Sequence, residues 1–367
     1  MHKPLALALG ALLIASPALA EEKVLNLFIW SDYMAEDTVS NFEAQQSVDG
    51  DRFKVNFAYY DMNETIDTML QAGNSGYDVI VPTGNFLKRQ IQAGFIQKLD
   101  KSKLPNLANL DPAVLATAAG QDPDNAYAVP YMINTIGYGY NVDKVAAILG
   151  PDAPVDSWDL IFKPEYAEKL ASCGISLLDS QSEVLGIVLH YLGLDPNSES
   201  PEDLAKAQEL LLSIRPYIRY FSSSQYIEDM GNGETCVALG YSGDVFQAAA
   251  AAEEANVGNH VEYVIPKEGA PTLFDFLAIP ADAPHPENAH AFINYILEPK
   301  VAADITNAVF YANPNLAATE FVDEEIRANP GIYPSAEVMA NAFVIDLPGS
   351  DFNDLLTRAW INIKTGQ

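Results

Sequence analysis

Residues 24–30 (VLNLFIW) form a short, nearly unbroken apolar run rich in β-formers, the pattern of a strand buried at the centre of a sheet. Ser31-Asp32-Tyr33 follows, and the pattern over 35–46 then predicts a helix. The alternation continues with a strand over 53–59, a helix over 64–72 ended by Gly73, a strand over 77–81 broken by Pro82, and a helix over 86–93. Such an order predicts an α/β layered unit with a mostly parallel sheet. Ligands of such sheets gather at the carboxyl ends of strands, which directs attention to 30–33 and 82–85.

The middle of the chain changes character. Residues 127–140 (YAVPYMINTIGYGY) are aromatic, β-rich and glycine-bearing, and predict strands that pass from one domain to another. Helical patterns follow over 157–160, 164–171, 182–192 and 201–214, with Pro164 at a plausible first turn. Residues 236–241 (CVALGY) predict a buried strand that ends at Ser242-Gly243-Asp244. Residues 261–265 and 273–279 predict strands, and 288–297 an amphipathic helix. With no internal repeat and no long linker, the chain predicts two α/β units joined by crossing strands, with a cleft between them.

Composition narrows the function. Twenty Lys plus Arg against 50 Asp plus Glu give a formal charge of −30. That balance argues against gripping nucleic acid or an anionic membrane and favours cationic partners, although it serves solubility equally well. With 49% apolar and 10% aromatic residues, the chain can bury a large core. Residues 1–20 carry a secretory signal pattern: a weakly basic start at His2-Lys3, an apolar run over 5–14, and Ala18-Leu19-Ala20 as the cleavage motif. The apolar run is too short for a permanent span, and a lipobox is missing, so membrane insertion is not expected. The mature chain is expected to begin near Glu21 and to work outside the cytoplasm. There Cys173 and Cys236 meet an oxidising compartment and either pair or remain buried thiols.

Catalytic signatures are missing. The chain has neither a phosphate-binding G-x-x-x-x-G-K-[ST] nor an H-E-x-x-H, and Gly240-Tyr241-Ser242-Gly243 misplaces the second glycine of a nucleophile elbow. Five scattered histidines favour neither a metal centre nor a cofactor, and an enzyme is not expected. Instead, carboxylates recur beside aromatics at strand ends, in Trp30-Ser31-Asp32-Tyr33, Tyr241-Ser242-Gly243-Asp244 and Phe274-Asp275-Phe276. Aromatic faces attract cations, and carboxylates hydrogen-bond ammonium groups. Together they suit a flexible diammonium.

Several stretches then carry a resemblance. IWSDYM at 29–34, DVIVPTGNFLKRQ at 78–90, YGYNVDKV at 138–145, IRYFSSSQYIEDMGNGETC at 218–236 and VFYANPNLAA at 309–318 make the chain similar to the periplasmic putrescine-binding proteins of bacterial polyamine ABC transporters. The resemblance implies a two-lobed type II periplasmic binding fold, each lobe a mainly parallel sheet flanked by helices. The expected lobes are 21–133 with 262–307, and 134–261 with 308–367, with hinges near 131–136, 258–264 and 305–311. It implies capture of a polyamine, putrescine first, by a monomer that hands it to an inner-membrane permease. A sensor, or a binder of another cationic amine such as agmatine or cadaverine, is the alternative.

The resemblance also implies a site. Trp30, Ser31, Asp32 and Tyr33 match a ligand-contacting motif, with Asp32 expected to take one amine. Thr83, Glu183, Asp244, Asp275 and Tyr311 match further ligand-facing positions. Tyr241 stands for a family tryptophan, Leu273 for an aromatic, and Thr83 and Asn85 for serines. The acids are retained and the walls altered, so a cationic amine is expected and its length left open. The resemblance favours a Cys173–Cys236 disulfide.

Overall fold

The structure is a computed structural model that describes residues 23–47, 52–256 and 258–367. The expected signal segment lies outside the described residues. Nine strands are present among them: β1 Lys23–Trp30, β2 Phe53–Tyr60, β3 Val79–Ile80, β4 Ala128–Asn141, β5 Ile175–Leu177, β6 Ile218–Phe221, β7 Val237–Tyr241, β8 Val261–Val264 and β9 Thr272–Ala278. They follow the order β2-β1-β3-β9-β4-β7-β5-β6, with β8 on β4. Both flanks are parallel: β1 with β2 and β3, and β5 with β6 and β7. The centre is antiparallel, because β9, β7 and β8 all run against β4.

The chain has a two-lobed α/β architecture, and β4 explains how the lobes join. Its first half, 128–135, pairs with β9, and its second half, 136–141, pairs with β7 and β8. The apolar stretch read as several crossing strands is thus one continuous strand that serves both sheets. The core divides accordingly. One cluster gathers Ile136, Trp158, Leu185, Leu239 and Trp360. Two others, around Leu27, Phe42, Phe292 and around Phe28, Ile80, Phe276, fill the two faces of the first sheet.

The pairing of the later segments is as follows. The strand β8 pairs with residues 138–141 of β4, so 262–264 sit on the second sheet and the chain returns only at β9. Residues 312–315 are tied to 110–133 through bridges Ile133–Ala312 and Leu110–Asn315 and through Asp111 N–H to the Pro314 carbonyl at 2.9 Å. Phe343 joins the start of β9, since its N–H donates to the Ala270 carbonyl and its carbonyl accepts from Thr272 N–H. Helix Ser350–Thr365 then packs on helices Gln181–Tyr191 and Pro201–Ile214. Helices Ser242–Ala255 and Pro299–Val309 were not expected from the pattern. The first is so rich in alanine that its apolar stripe is faint.

Cys173 and Cys236 are joined in a disulfide spanning 63 residues. On the chain-entropy account such a loop contributes roughly 4 kcal/mol, with measured values often lower. It ties the turn after helix Pro164–Leu170 to the start of β7, and β7 leads straight into the site.

Candidate functional site

Trp30 ends β1 with Ser31 and Tyr33 in the turn just after it, Thr83 directly precedes helix Gly84–Gln92, and Asp275 lies in β9. From the other lobe, Tyr241 closes β7 and Asp244 falls in the first turn of helix Ser242–Ala255, where the amino-terminal dipole favours a negative charge. Tyr311 follows helix Pro299–Val309. These residues, with Asn134 and Leu273, line one cleft. Its walls are aromatic and aliphatic. Three carboxylates line it, on Asp61, Asp244 and Asp275, with no Lys, Arg or His among the lining residues.

Asp275 is buried at 5% exposure and held on three sides. Its Oδ1 accepts from Thr83 Oγ1 at 2.7 Å, and its Oδ2 accepts from Tyr33 Oη at 2.5 Å and Asn134 Nδ2 at 3.1 Å. Thr83 is itself fixed by Asn63, whose Nδ2 donates to Oγ1 and whose Oδ1 accepts from the Thr83 N–H, both at 3.0 Å. Asp244 accepts from Tyr311 Oη at 2.5 Å and Tyr226 Oη at 2.6 Å. The Tyr311 bond joins the segment after helix Pro299–Val309 to helix Ser242–Ala255, and Gln247 Nε2 of that helix donates to the Asp32 carbonyl at 3.4 Å. Gly243 permits this approach, because a Cβ there would stand 2.4 Å from the Tyr311 ring. Tyr33 lies edge-on to the rings of Tyr311 and Tyr131, with centroids at 5.0 and 5.5 Å. The Trp30 indole N–H donates to the Val81 carbonyl at 2.9 Å, which sets the orientation of that wall.

Burial dominates the electrostatics. It pushes the Asp275 carboxyl up to about 6, against the hydrogen bonds from Tyr33, Thr83 and Asn134. It pushes Asp244 up to about 6 as well, against Tyr226 and Tyr311, with the charges of Asp32 and Asp275 adding to the rise. Burial, and then the neighbouring carboxylates, raise Tyr33, Tyr226 and Tyr311 well above the usual phenol range, so each stays a donor. Such a site is poised for a cation that makes both carboxylates comfortable in their charged form.

Two expected ligand residues do not line the cleft. Asp32 is exposed, in the left-handed region at φ 52°, a conformation that aspartate tolerates better than most residues. Glu183 is buried behind the wall, where its Oε2 accepts from Tyr241 Oη at 2.7 Å. Burial raises Glu183 to about 7. The hydroxyl that tyrosine adds at 241 therefore satisfies an acid that is not among the cleft-lining residues. Tyr241→Phe should lower the melting temperature, at a cost of about 1 to 3 kcal/mol for the orphaned acceptor. The loss should be larger at pH 8, with Glu183 charged, than at pH 6; equal melting of both proteins at both pH values would contradict this pairing.

Five lining residues escaped the sequence reading. Asp61 follows Tyr59-Tyr60 at the end of β2, the same aromatic-plus-acid signal found elsewhere and overlooked there. Ser223, Ser224 and Ile227 lie in a stretch that carried resemblance but no assigned role. Asn134 is the polar member of an apolar strand, a signal visible only once the faces of β4 are known.

The bacterial extracellular solute-binding protein family matches residues 37–334. The putrescine-binding periplasmic protein PotF of Escherichia coli (strain K12) is 51% identical over 364 residues, covering 98% of this chain and 97% of that protein. The putrescine/agmatine-binding protein of Pseudomonas aeruginosa is 43% identical over 371 residues, covering 100% of both. Among solved structures, the spermidine/putrescine ABC transporter substrate-binding protein PotD of Streptococcus pneumoniae superposes with a TM-score of 0.73 at 26% identity, over 94% of this chain and 99% of that one.

Proposed function

This chain belongs to the bacterial extracellular solute-binding protein family, and we propose that its cleft captures a polyamine, putrescine first, for delivery to an ABC transporter. The observation that carries this reading is a cleft lined by three carboxylates and no basic side chain. An anionic solute would meet uncompensated repulsion there. A sugar would use the aromatic walls but has no need of buried charge. A dication gives each inner carboxylate a partner, Asp275 from the first lobe and Asp244 from the second. Closure strengthens both attractions, because charges interact more strongly once water is removed. Capture, without a chemical step, is the whole function of the cleft.

The Escherichia coli relative is a periplasmic protein, and the expected signal over 1–20 supports the same place for this chain. No helix among the described residues is long and apolar enough to cross a membrane. We place the lobes at 23–135 with 272–333, and at 136–264 with 343–367, following the strand pairing. The working form is a monomer whose closed state docks on an inner-membrane permease. Agmatine is the second reading. It is favoured by the 43% identity to the putrescine/agmatine-binding protein, and Leu273 leaves an aliphatic wall where the resemblance has an aromatic.

Titration calorimetry on protein refolded free of amine tests the reading, with putrescine, cadaverine, spermidine, spermine and agmatine, and γ-aminobutyrate and a sugar as controls. Micromolar or tighter binding of an amine, with silent controls, is the expected result. Silence from every amine would end the polyamine assignment. Asp244→Asn should weaken the preferred amine by at least about 1.5 kcal/mol, since a charged hydrogen bond becomes neutral. Wild-type affinity in that variant would remove Asp244 from the site.

A further inference from the structure

Asn134 occupies an unusual position in the cleft. It is 5% exposed, and it pairs across the strands with Leu273, which places both side chains on the cleft face. Its Nδ2 donates to Asp275 Oδ2 at 3.1 Å. Its Oδ1 has no hydrogen-bond partner, although it is fully shielded. The orientation of this amide is chemically determined. An ionised carboxylate only accepts, so the NH₂ must face Asp275 and the oxygen must face away from it.

The neighbouring carboxylate makes this orphan oxygen informative. A carboxylate offers about four lone-pair directions. Asp275 has used three of them, on Tyr33, Thr83 and Asn134, and the remaining one is on Oδ1. Asp244 has used two, on Tyr226 and Tyr311. The two ends of the cleft therefore differ. At the Asp244 end one carboxylate can accept two N–H groups. At the Asp275 end the carboxylate supplies charge but only one acceptor direction.

We propose that Asn134 Oδ1 is a ligand-binding acceptor that completes the Asp275 end of the cleft, so that this end selects a nitrogen with at least two N–H donors. One N–H goes to Asp275 Oδ1 and a second to Asn134 Oδ1. A primary ammonium or a guanidinium satisfies both acceptors. A tertiary ammonium satisfies only one and leaves a shielded oxygen unpaired, and a quaternary ammonium satisfies neither. Asn134 thus acts through hydrogen-bond count, while Asp275 acts through charge. This inference rests on the amine reading of the cleft and deepens it.

The test is a cycle between one residue and one ligand change. Wild type and Asn134→Leu, which is similar in size and cannot accept, are titrated with putrescine and with its N,N,N′,N′-tetramethyl derivative. The symmetric derivative prevents the ligand from presenting an unmodified end. Asn134→Leu should lose about tenfold in putrescine affinity, the effect of one hydrogen bond to a charged group. It should bind the tetramethyl derivative within about twofold of wild type, because that ligand has no second N–H to give. Unchanged putrescine affinity, or equal loss with both ligands, overturns the role of Asn134. Failure of wild type to bind either amine overturns the amine reading and this inference together. Should the variant not fold, the side-chain ¹³C carbonyl resonance of Asn134 in wild type gives the second readout. It should move when putrescine binds and stay when the tetramethyl derivative binds; the same shift with both ligands, or none with putrescine, overturns the proposal.

Discussion

Asp275→Asn should reduce affinity for the preferred diamine at least about a hundredfold, the effect expected from leaving a desolvated charge without its partner, about 3 kcal/mol or more. Three features make this the most sensitive position in the cleft. Asp275 is the more deeply buried of the two inner acids, so the ammonium it meets has the least water to fall back on. Its donors Tyr33, Thr83 and Asn134 are arranged for an acceptor on both oxygens. An asparagine would turn an NH₂ toward at least one of them, so the variant loses geometry as well as charge. It lies on β9, the strand paired with the first half of β4, so a displaced side chain has little freedom to relax. Calorimetry with wild type and variant under the same salt measures the ratio. A loss of less than about tenfold would mean that the amine is held elsewhere, with Asp61 as the next acid to test.

Amine affinity should fall about a hundredfold between pH 8 and pH 5, about tenfold for each inner acid, given carboxyls pushed up to about 6 in the free protein. The direction follows from linkage. Free Asp244 and Asp275 hold protons more tightly than ordinary carboxylates because burial disfavours their charge. A bound ammonium reverses that preference. Binding therefore expels protons near and below pH 6, and affinity is lost as pH falls through that value. The amine remains charged throughout, since alkylammonium groups titrate near 10. Stability of the free protein runs the opposite way. A carboxyl whose folded value is raised above its unfolded value near 4 contributes stability below pH 4, and that contribution is lost as pH rises through about 6. The rise in melting temperature on adding amine should thus be large at pH 8 and small at pH 5. Titration in two buffers of different ionisation enthalpy counts the protons. No proton release at pH 5.5, or pH-independent affinity, would show that these carboxyls are not the ones that meet the ligand.

Much of the fold was legible because burial leaves a mark in short windows. Residues 24–30 and 236–241 read as strands, and Pro201–Ile214 as a helix, because the patterns of those windows follow from which faces are covered. Helix Ser242–Ala255 left no such mark, since its run of alanines is buried and exposed alike. The lobe crossings were harder still. Nothing within 261–264 tells which half of β4 it will pair with, because that is a matter of register between segments more than a hundred residues apart.

The site divides along the same line. Aromatic-plus-acid triplets at strand ends marked Asp244 and Asp275, and family motifs marked Tyr33, Thr83 and Tyr311, all of which meet in one cleft. The same motifs pointed to Asp32 and Glu183, which the fold sends to solvent and behind the wall. The amino-acid sequence alone determined the α/β class and the excess of acid, because composition and local periodicity encode them, and its acid-and-aromatic triplets pointed toward a cationic ligand. Only the tertiary structure decided which acids face the cleft, which hydroxyls occupy their lone pairs, and that Asn134 has an oxygen to spare. Those facts depend on the direction of side chains brought together from distant strands, and direction is fixed by packing, not by order along the chain.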